Sequence, residues 1–153
     1  MAENRLDIAK QLQQEHEVVL GIVNRLEHLA EQAARDEREQ GWGESVRDSL
    51  SSLQSHLKNH FAFEEFGGFM EEVVHALPSV SRQVERLRTD HERMLADLGR
   101  VSSIAGECAA VTGPPPPNLC EEVHRFLEML RQHENEENDL VQRAFLDDLG
   151  TVD

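Results

Sequence analysis

The chain has no tyrosine, one tryptophan and two cysteines among 153 residues. The lack of tyrosine removes tyrosyl-radical oxidation from the chemistries open to it. Cys108 and Cys120 stand 12 positions apart across a proline-rich stretch and fit neither a CxxC redox motif nor a zinc pattern, so free thiols are expected rather than a disulfide. Positive charge is scarce as well: 15 Lys and Arg face 30 Asp and Glu, for a net charge of −15 with histidine neutral. A nucleic-acid groove or an anionic-membrane surface needs clustered cations, so neither partner is expected. Long apolar runs are missing too. The longest, Val18 to Val23, is far short of a membrane span, and the polar stretch Met1 to Glu17 does not read as a signal peptide, so a cytoplasmic protein is expected.

What is present points to one helical domain over residues 1–153. Hydrophobic residues make up 39% and include six Phe, enough for a core, and a chain of this length buries roughly 70% of its surface on folding. Glycine and proline are grouped at Gly41-Trp42-Gly43, at Gly67-Gly68 with Pro78, and at Gly113 with Pro114 to Pro117. Between these breakers lie four stretches whose apolar residues recur every three to four positions. The first, about Asn4 to Arg38, carries Leu12, His16, Val19, Val23, Leu26 and Ala30. The second, about Ser45 to Phe66, carries Val46, Leu50, Leu53, Leu57, His60 and Glu64. The third, about Ser79 to Ala109, carries Val80, Val84, Leu87, His91, Met94, Leu98 and Val101, with Ser79 as a candidate cap and Gly99 and Gly106 loosening its end. The fourth opens at Asn118 and continues through Val123, Phe126, Leu130, His133, Glu137, Leu140 and Ala144. A short piece, Phe69 to Leu77, joins the second to the third. The predicted fold is all-α: an antiparallel up-down-up-down four-helix bundle with a short connecting helix between helices 2 and 3.

Eight histidines are many for so acidic a chain, and four of them interrupt the apolar stripes: His16, His60, His91 and His133. Two are followed four residues later by a carboxylate, Glu64 and Glu137, on the same helix face. In an antiparallel pair, residues at one level are equidistant from the turn between them. The midpoints are 38 for His16 and His60, about 75 for His60 and His91, and 112 for His91 and His133, each beside a breaker. All four imidazoles therefore belong to one layer. Four imidazoles and two carboxylates in a core are hard to satisfy by hydrogen bonds, and a metal centre resolves the conflict. Six ligands exceed what one zinc takes, which indicates two metals. If Glu64 and Glu137 each bridge the pair, each metal gains two histidines and two carboxylate oxygens; an oxide or hydroxide bridge makes five and leaves one position open. Mixed imidazole and carboxylate ligation of this kind suits iron ahead of manganese and zinc.

On these residues the sequence resembles the hemerythrin-like family, the HHE cation-binding domain, over nearly its whole length. The motifs are His16 in the first helix, HFAFEE (His60 to Glu65) in the second, DHE (Asp90 to Glu92) in the third and HENEE (His133 to Glu137) in the fourth. The resemblance implies a non-haem di-iron centre, oxo- or hydroxo-bridged, with ligands at His16, His60, Glu64, His91, His133 and Glu137. It also implies a small partner such as dioxygen, nitric oxide or peroxide. Oxygen-carrying members have a second histidine four residues after the third-helix ligand, where this chain has Leu95. That departure counts against reversible oxygen storage and leaves an exchangeable position on both metals. The four-histidine, two-glutamate set looks more like the bacterial members. Among these are iron-centre repair proteins, whose additional N-terminal cysteine-bearing domain has no counterpart here.

Other residues carry weaker expectations. His56, one turn before His60, is read as a flanking histidine, with a fifth imidazole ligand as the alternative. His28, His75 and His124 are expected at the surface. Glu65 and Glu136 are turned by about 100° from the neighbouring carboxylates and are read as solvated or as supporting a ligand. The pairs Glu72 with His75 and Glu121 with His124 mimic a di-iron Glu-x-x-His motif but fall outside the layer. Phe61, Phe63, Phe66, Phe69 and Phe126 are read as mostly core packing, with some of them walling a small-ligand site. Two functional classes fit: a di-iron protein that reacts with an oxidant in oxidative or nitrosative stress, and an iron or oxygen sensor or carrier without turnover. A metal-free acidic interaction domain is the bland alternative.

Overall fold

Each apolar stripe folds as a helix. The computed structural model describes residues 2–109, 115 and 118–147. Its long helices are α1 (Ala2–Ala34), α2 (Trp42–Phe66), α4 (Ser81–Ala109) and α5 (Leu119–Val141); α3 (Phe69–Ala76) is short, and a 3₁₀ turn, Pro78–Val80, leads from it into α4. There is no strand among the described residues. The cross-helix bonds give the directions. Arg25 to Ser49 and Trp42 to Leu29 tie α1 to α2, and His91 to Glu65 and the approach of Gln54 to Gly99 relate α2 to α4. Arg100 to Glu122 and Arg125 to Asp97 tie α4 to α5, and Arg131 to Glu27 and His16 to Asn138 tie α5 to α1. In every pair an advance along one helix is a retreat along the other, so neighbours are antiparallel and the bundle runs up-down-up-down, as predicted.

The ends of the helices differ from the sequence reading in instructive ways. Helix α1 stops four residues before Arg38, where Asp36 takes a left-handed φ of 56°. Helix α2 begins at Trp42 because the indole is buried and its Nε1–H donates to the Leu29 carbonyl at 2.8 Å, which holds the first turn against α1. Ser79 caps nothing; it lies within the 3₁₀ turn that precedes α4. Asn118 does occupy the N-cap position of α5, but only its backbone carbonyl is used, accepting from the Glu122 N–H at 2.9 Å. Helix α4 passes through Gly99 and Gly106 without a break. After Val141 the fourth stripe widens into a π turn, Gln142–Leu146, whose extra residue per turn lets adjacent Ala144 and Phe145 both reach the core.

Gly67 and Gly68 turn the chain just after Phe66, less than one helical turn beyond Glu64. A Cβ on Gly67 would lie 2.5 Å from the Phe63 carbonyl oxygen, and Gly68 has a φ of 103°, so a side chain is opposed at both positions for different reasons.

Two apolar clusters fill the bundle. One, under Trp42, includes Val23, Leu26, Leu53, Leu57, Leu98 and Phe126; the other includes Leu12, Phe69, Val84, Leu87, Leu140 and Phe145. All the apolar positions of the four predicted stripes are buried, and all but Ala30 belong to these clusters. The polar residues of the stripes lie where the two clusters meet.

Candidate metal centre

Helix α1 supplies His16, α2 supplies His60 and Glu64, α4 supplies His91, and α5 supplies His133 and Glu137. All six are buried, and among the described residues only Ser49 joins them as a buried polar residue. Both carboxylates are 0% exposed and the imidazoles between 1% and 8%, with His16 the most open. Their polar atoms converge. His60 Nε2 is 2.9 Å from Glu64 Oε1, His16 Nε2 is 3.3 Å from Glu137 Oε1, and His133 Nε2 is 3.4 Å from Glu137 Oε2. His91 Nε2 lies 3.7 Å from Glu64 Oε1 and 3.1 Å from His133 Nε2. The donor atoms form two groups, Glu64, His91, His133, Glu137 and His16, His60, Glu137, each with its atoms within 4.8 Å of one another. Glu137 belongs to both.

The outward ring nitrogens orient this arrangement. His60 Nδ1–H donates to Glu15 Oε2 at 2.7 Å, His91 Nδ1–H to Glu65 Oε2 at 3.1 Å, and His16 Nδ1–H to Asn138 Oδ1 at 3.2 Å. A ring that donates through Nδ1 keeps a lone pair on Nε2, and here those lone pairs point inward. Phe61 stacks on His91, with ring centroids 3.9 Å apart and planes inclined by 5°, and meets His133 edge-on at 5.7 Å. Truncating it to Leu is expected to destabilise the protein by about 1–2 kcal/mol through lost packing, measurable as a shift in urea midpoint.

Inside the layer hydrogen bonding fails. His16 Nε2, His60 Nε2 and all four oxygens of Glu64 and Glu137 are buried without a hydrogen-bond partner. Leaving so many polar atoms unsatisfied is costly: a neutral His133 with its proton on Nε2 can donate to His91 Nε2 at 3.1 Å, but no such bond reaches the carboxylate oxygens. A cation supplies what every one of these atoms lacks, so the residues fit a metal.

Electrostatics prepares the donors. Burial, reinforced by His60 and Arg88 nearby, pushes His91 down to about 3. Burial with His91, His60 and His16 around it pushes His133 down to about 3 as well. Both are neutral at pH 7, the form that binds metal. Burial also acts to lower His60, but the carboxylates of Glu137 and Glu15 outweigh it and raise its pKa.

The remaining candidates fall away from the layer. His28, His56, His75 and His124 are exposed, so His56 is not a fifth imidazole of the cluster. The Glu-x-x-His look-alikes lie elsewhere, with Glu72 engaged by Arg5 at 3.1 Å. Glu65 supports His91, whereas Glu136 is exposed. Phe66 is not core: it is 87% exposed at the end of α2. Phe69 packs on Phe145 in the cluster below. Leu95 packs partly buried against the upper cluster, an apolar contact where a further histidine would stand. Cys120 is a free, half-buried thiol whose pKa burial pushes up; the side chain of Cys108 lies outside the described residues. Glu15 and Asn138 are the supporting residues that sequence reasoning missed.

A four-helix bundle carrying a buried histidine and glutamate layer of this kind defines a metal-binding helical domain. The hemerythrin HHE cation binding domain matches this chain over residues 7–145, and the chain belongs to that family. No curated protein and no solved structure matches it. Among the described residues no helix is long and apolar enough to cross a membrane.

Proposed function

We propose that this layer holds two iron ions and that the protein binds or reacts with a small oxidant such as dioxygen, nitric oxide or peroxide in the cytoplasm. The observation that carries the reading is the pair of overlapping donor groups with Glu137 in both. His16 and His60 would hold one ion, His91 and His133 the other, and Glu64 and Glu137 would lie between them. Bound iron would supply the change of valence and the exchangeable position that such an oxidant requires. The chain's own contribution is rigidity and dryness: Glu15, Glu65 and Asn138 fix three imidazoles through Nδ1, and Phe61 closes the face of His91 and His133. Iron analysis is expected to find two ions per chain, with an optical band that changes on anaerobic addition of oxygen, nitric oxide or azide. Protein that takes up no iron would refute the reading.

A sensor or carrier is the second reading, favoured by the position of the layer between the two apolar clusters, where any change in ligation acts on both halves of the bundle. Steady consumption of peroxide or nitric oxide would select the enzyme, and a ligand-dependent change in unfolding without consumption would select the sensor. The supporting carboxylates are testable in either case. Glu15→Gln keeps the shape of the acceptor but removes the charge that polarises His60, and it is expected to weaken iron binding by about tenfold in a competition titration.

A further inference from the structure

The four imidazoles are not held alike. His60 and His91 are clamped by carboxylates on partly buried Glu15 and Glu65, and His133, whose Nδ1 has no partner, is enclosed by packing, whereas His16 is held through Nδ1 by the neutral amide of Asn138, an exposed residue. His16 is also the most exposed of the six layer residues. It lines an open groove of about 360 Å³ between α1 and α5. Gln13, His16, Glu17 and Leu20 form one wall and Arg131, Glu134, Asn135 and Asn138 the other. Each wall follows the i, i+3, i+4, i+7 spacing of a single helix face, and they meet where the bundle's neighbouring long helices pack least closely. Arg131, the one cation of the groove, is paired with Glu27 beyond its edge. That leaves Glu17 and Glu134 as the unneutralised charges, and Glu134 has a buried oxygen with no hydrogen-bond partner.

The geometry points to this groove as the port through which the metal ion enters and leaves, with His16 as its gate and Asn138 as the latch. This inference rests on the metal reading above. A hydrated divalent cation is attracted by Glu17 and Glu134 and meets amide and carboxylate oxygens that can replace part of its water shell. When the single Asn138 bond breaks, the His16 ring is free to turn toward the groove, because its other nitrogen has no hydrogen bond to hold it. Turning uncovers Glu137, which lies 3.3 Å behind His16. The other imidazoles are nearly sealed, and their rings offer no comparable opening.

The test is the rate at which metal-free protein takes up ferrous ion anaerobically, followed by the rate at which loaded protein yields iron to a chelator. Glu134→Gln is expected to slow uptake about three- to tenfold and to weaken its salt dependence while the final iron content stays unchanged. Asn138→Ala is expected to speed release about tenfold. Glu92→Gln, an exposed acid on α4 away from the groove, serves as the control for net charge and is expected to leave both rates unchanged. Equal slowing by Glu92→Gln, loss of iron content in Glu134→Gln, or unaltered rates in both groove variants would overturn the port. Failure of the unmodified protein to take up iron would instead refute the metal reading itself.

Discussion

Loading the metal-free protein with iron is expected to raise its thermal midpoint by about 10–20 °C, because ligands bound only by the native state stabilise it by roughly 3–4 kcal/mol per site at 100- to 1,000-fold saturation. The six-residue layer lies between two apolar clusters and leaves buried nitrogen and carboxylate oxygen atoms without partners. Metal-free protein bears that cost in full. Acid should expose it further. His91 and His133 are held at about 3 in the folded chain, below the ordinary value near 6.5. A histidine whose folded pKa is depressed contributes stability that is complete above the unfolded value and is lost as pH falls toward the folded one. The window therefore runs from about pH 6.5 down to about 3, with a loss on the order of 1 kcal/mol per pH unit for each ring. His60 has the opposite sign: its raised pKa contributes stability below its unfolded value that is lost as pH rises through the folded one, so it offsets part of the acid loss. Urea unfolding of the metal-free protein at pH 7 and pH 4.5, compared with the loaded protein at pH 7, measures both effects. Equal midpoints with and without iron, or a flat response to acid, would contradict this account.

The bundle and its polar layer were legible in the sequence because both are periodic. Leu53, Leu57, His60 and Glu64 repeat at helical spacing whatever surrounds them, and the midpoints between histidines depend only on chain length and breakers. The antiparallel order and the level at which His16, His60, His91 and His133 meet followed from those two regularities. What supports the layer was less legible. Glu15 and Asn138 sit off the apolar stripes, on partly exposed and exposed surface, and nothing in their own neighbourhoods separates them from the many other solvated acids and amides. Their roles exist only once α2 passes α1 and α5 passes α1, contacts that span 45 and 122 residues of sequence. Phe66 misled for a related reason: its composition is that of a core, but the Gly67-Gly68 turn ends the helix just after it and leaves the ring outside. The π turn after Val141 is likewise a tertiary outcome, in which burial of both Ala144 and Phe145 overrides the regular repeat.

Replacing Glu137 with leucine is expected to separate stability from function in opposite directions. In metal-free protein Glu137 is fully buried with neither oxygen hydrogen-bonded. A side chain of similar size without charge removes the desolvation cost of a carboxylate that no hydrogen bond repays, a gain of about 1–3 kcal/mol provided that no charged histidine is left without a partner. His60 would lose Glu137, the first of the two carboxylates that favour its charged form, but it keeps Glu15 at 2.7 Å and can shed its proton, so no charge is left buried without a partner. The metal-free variant should therefore unfold at higher urea than its parent. Binding should fail at the same time. Glu137 stands in both donor groups, so its loss strips an oxygen ligand from each, and iron content should fall from two ions toward none, abolishing the thermal gain on loading. His133→Leu removes a donor from only one group and should retain a single ion held by His16, His60 and Glu137. The contrast between the two variants, read by iron analysis and by unfolding with and without iron, isolates what the shared carboxylate does. If Glu137→Leu instead lowered the stability of the metal-free protein and still bound two ions, the carboxylate would be a structural element of the core and the bridging role would fall with it.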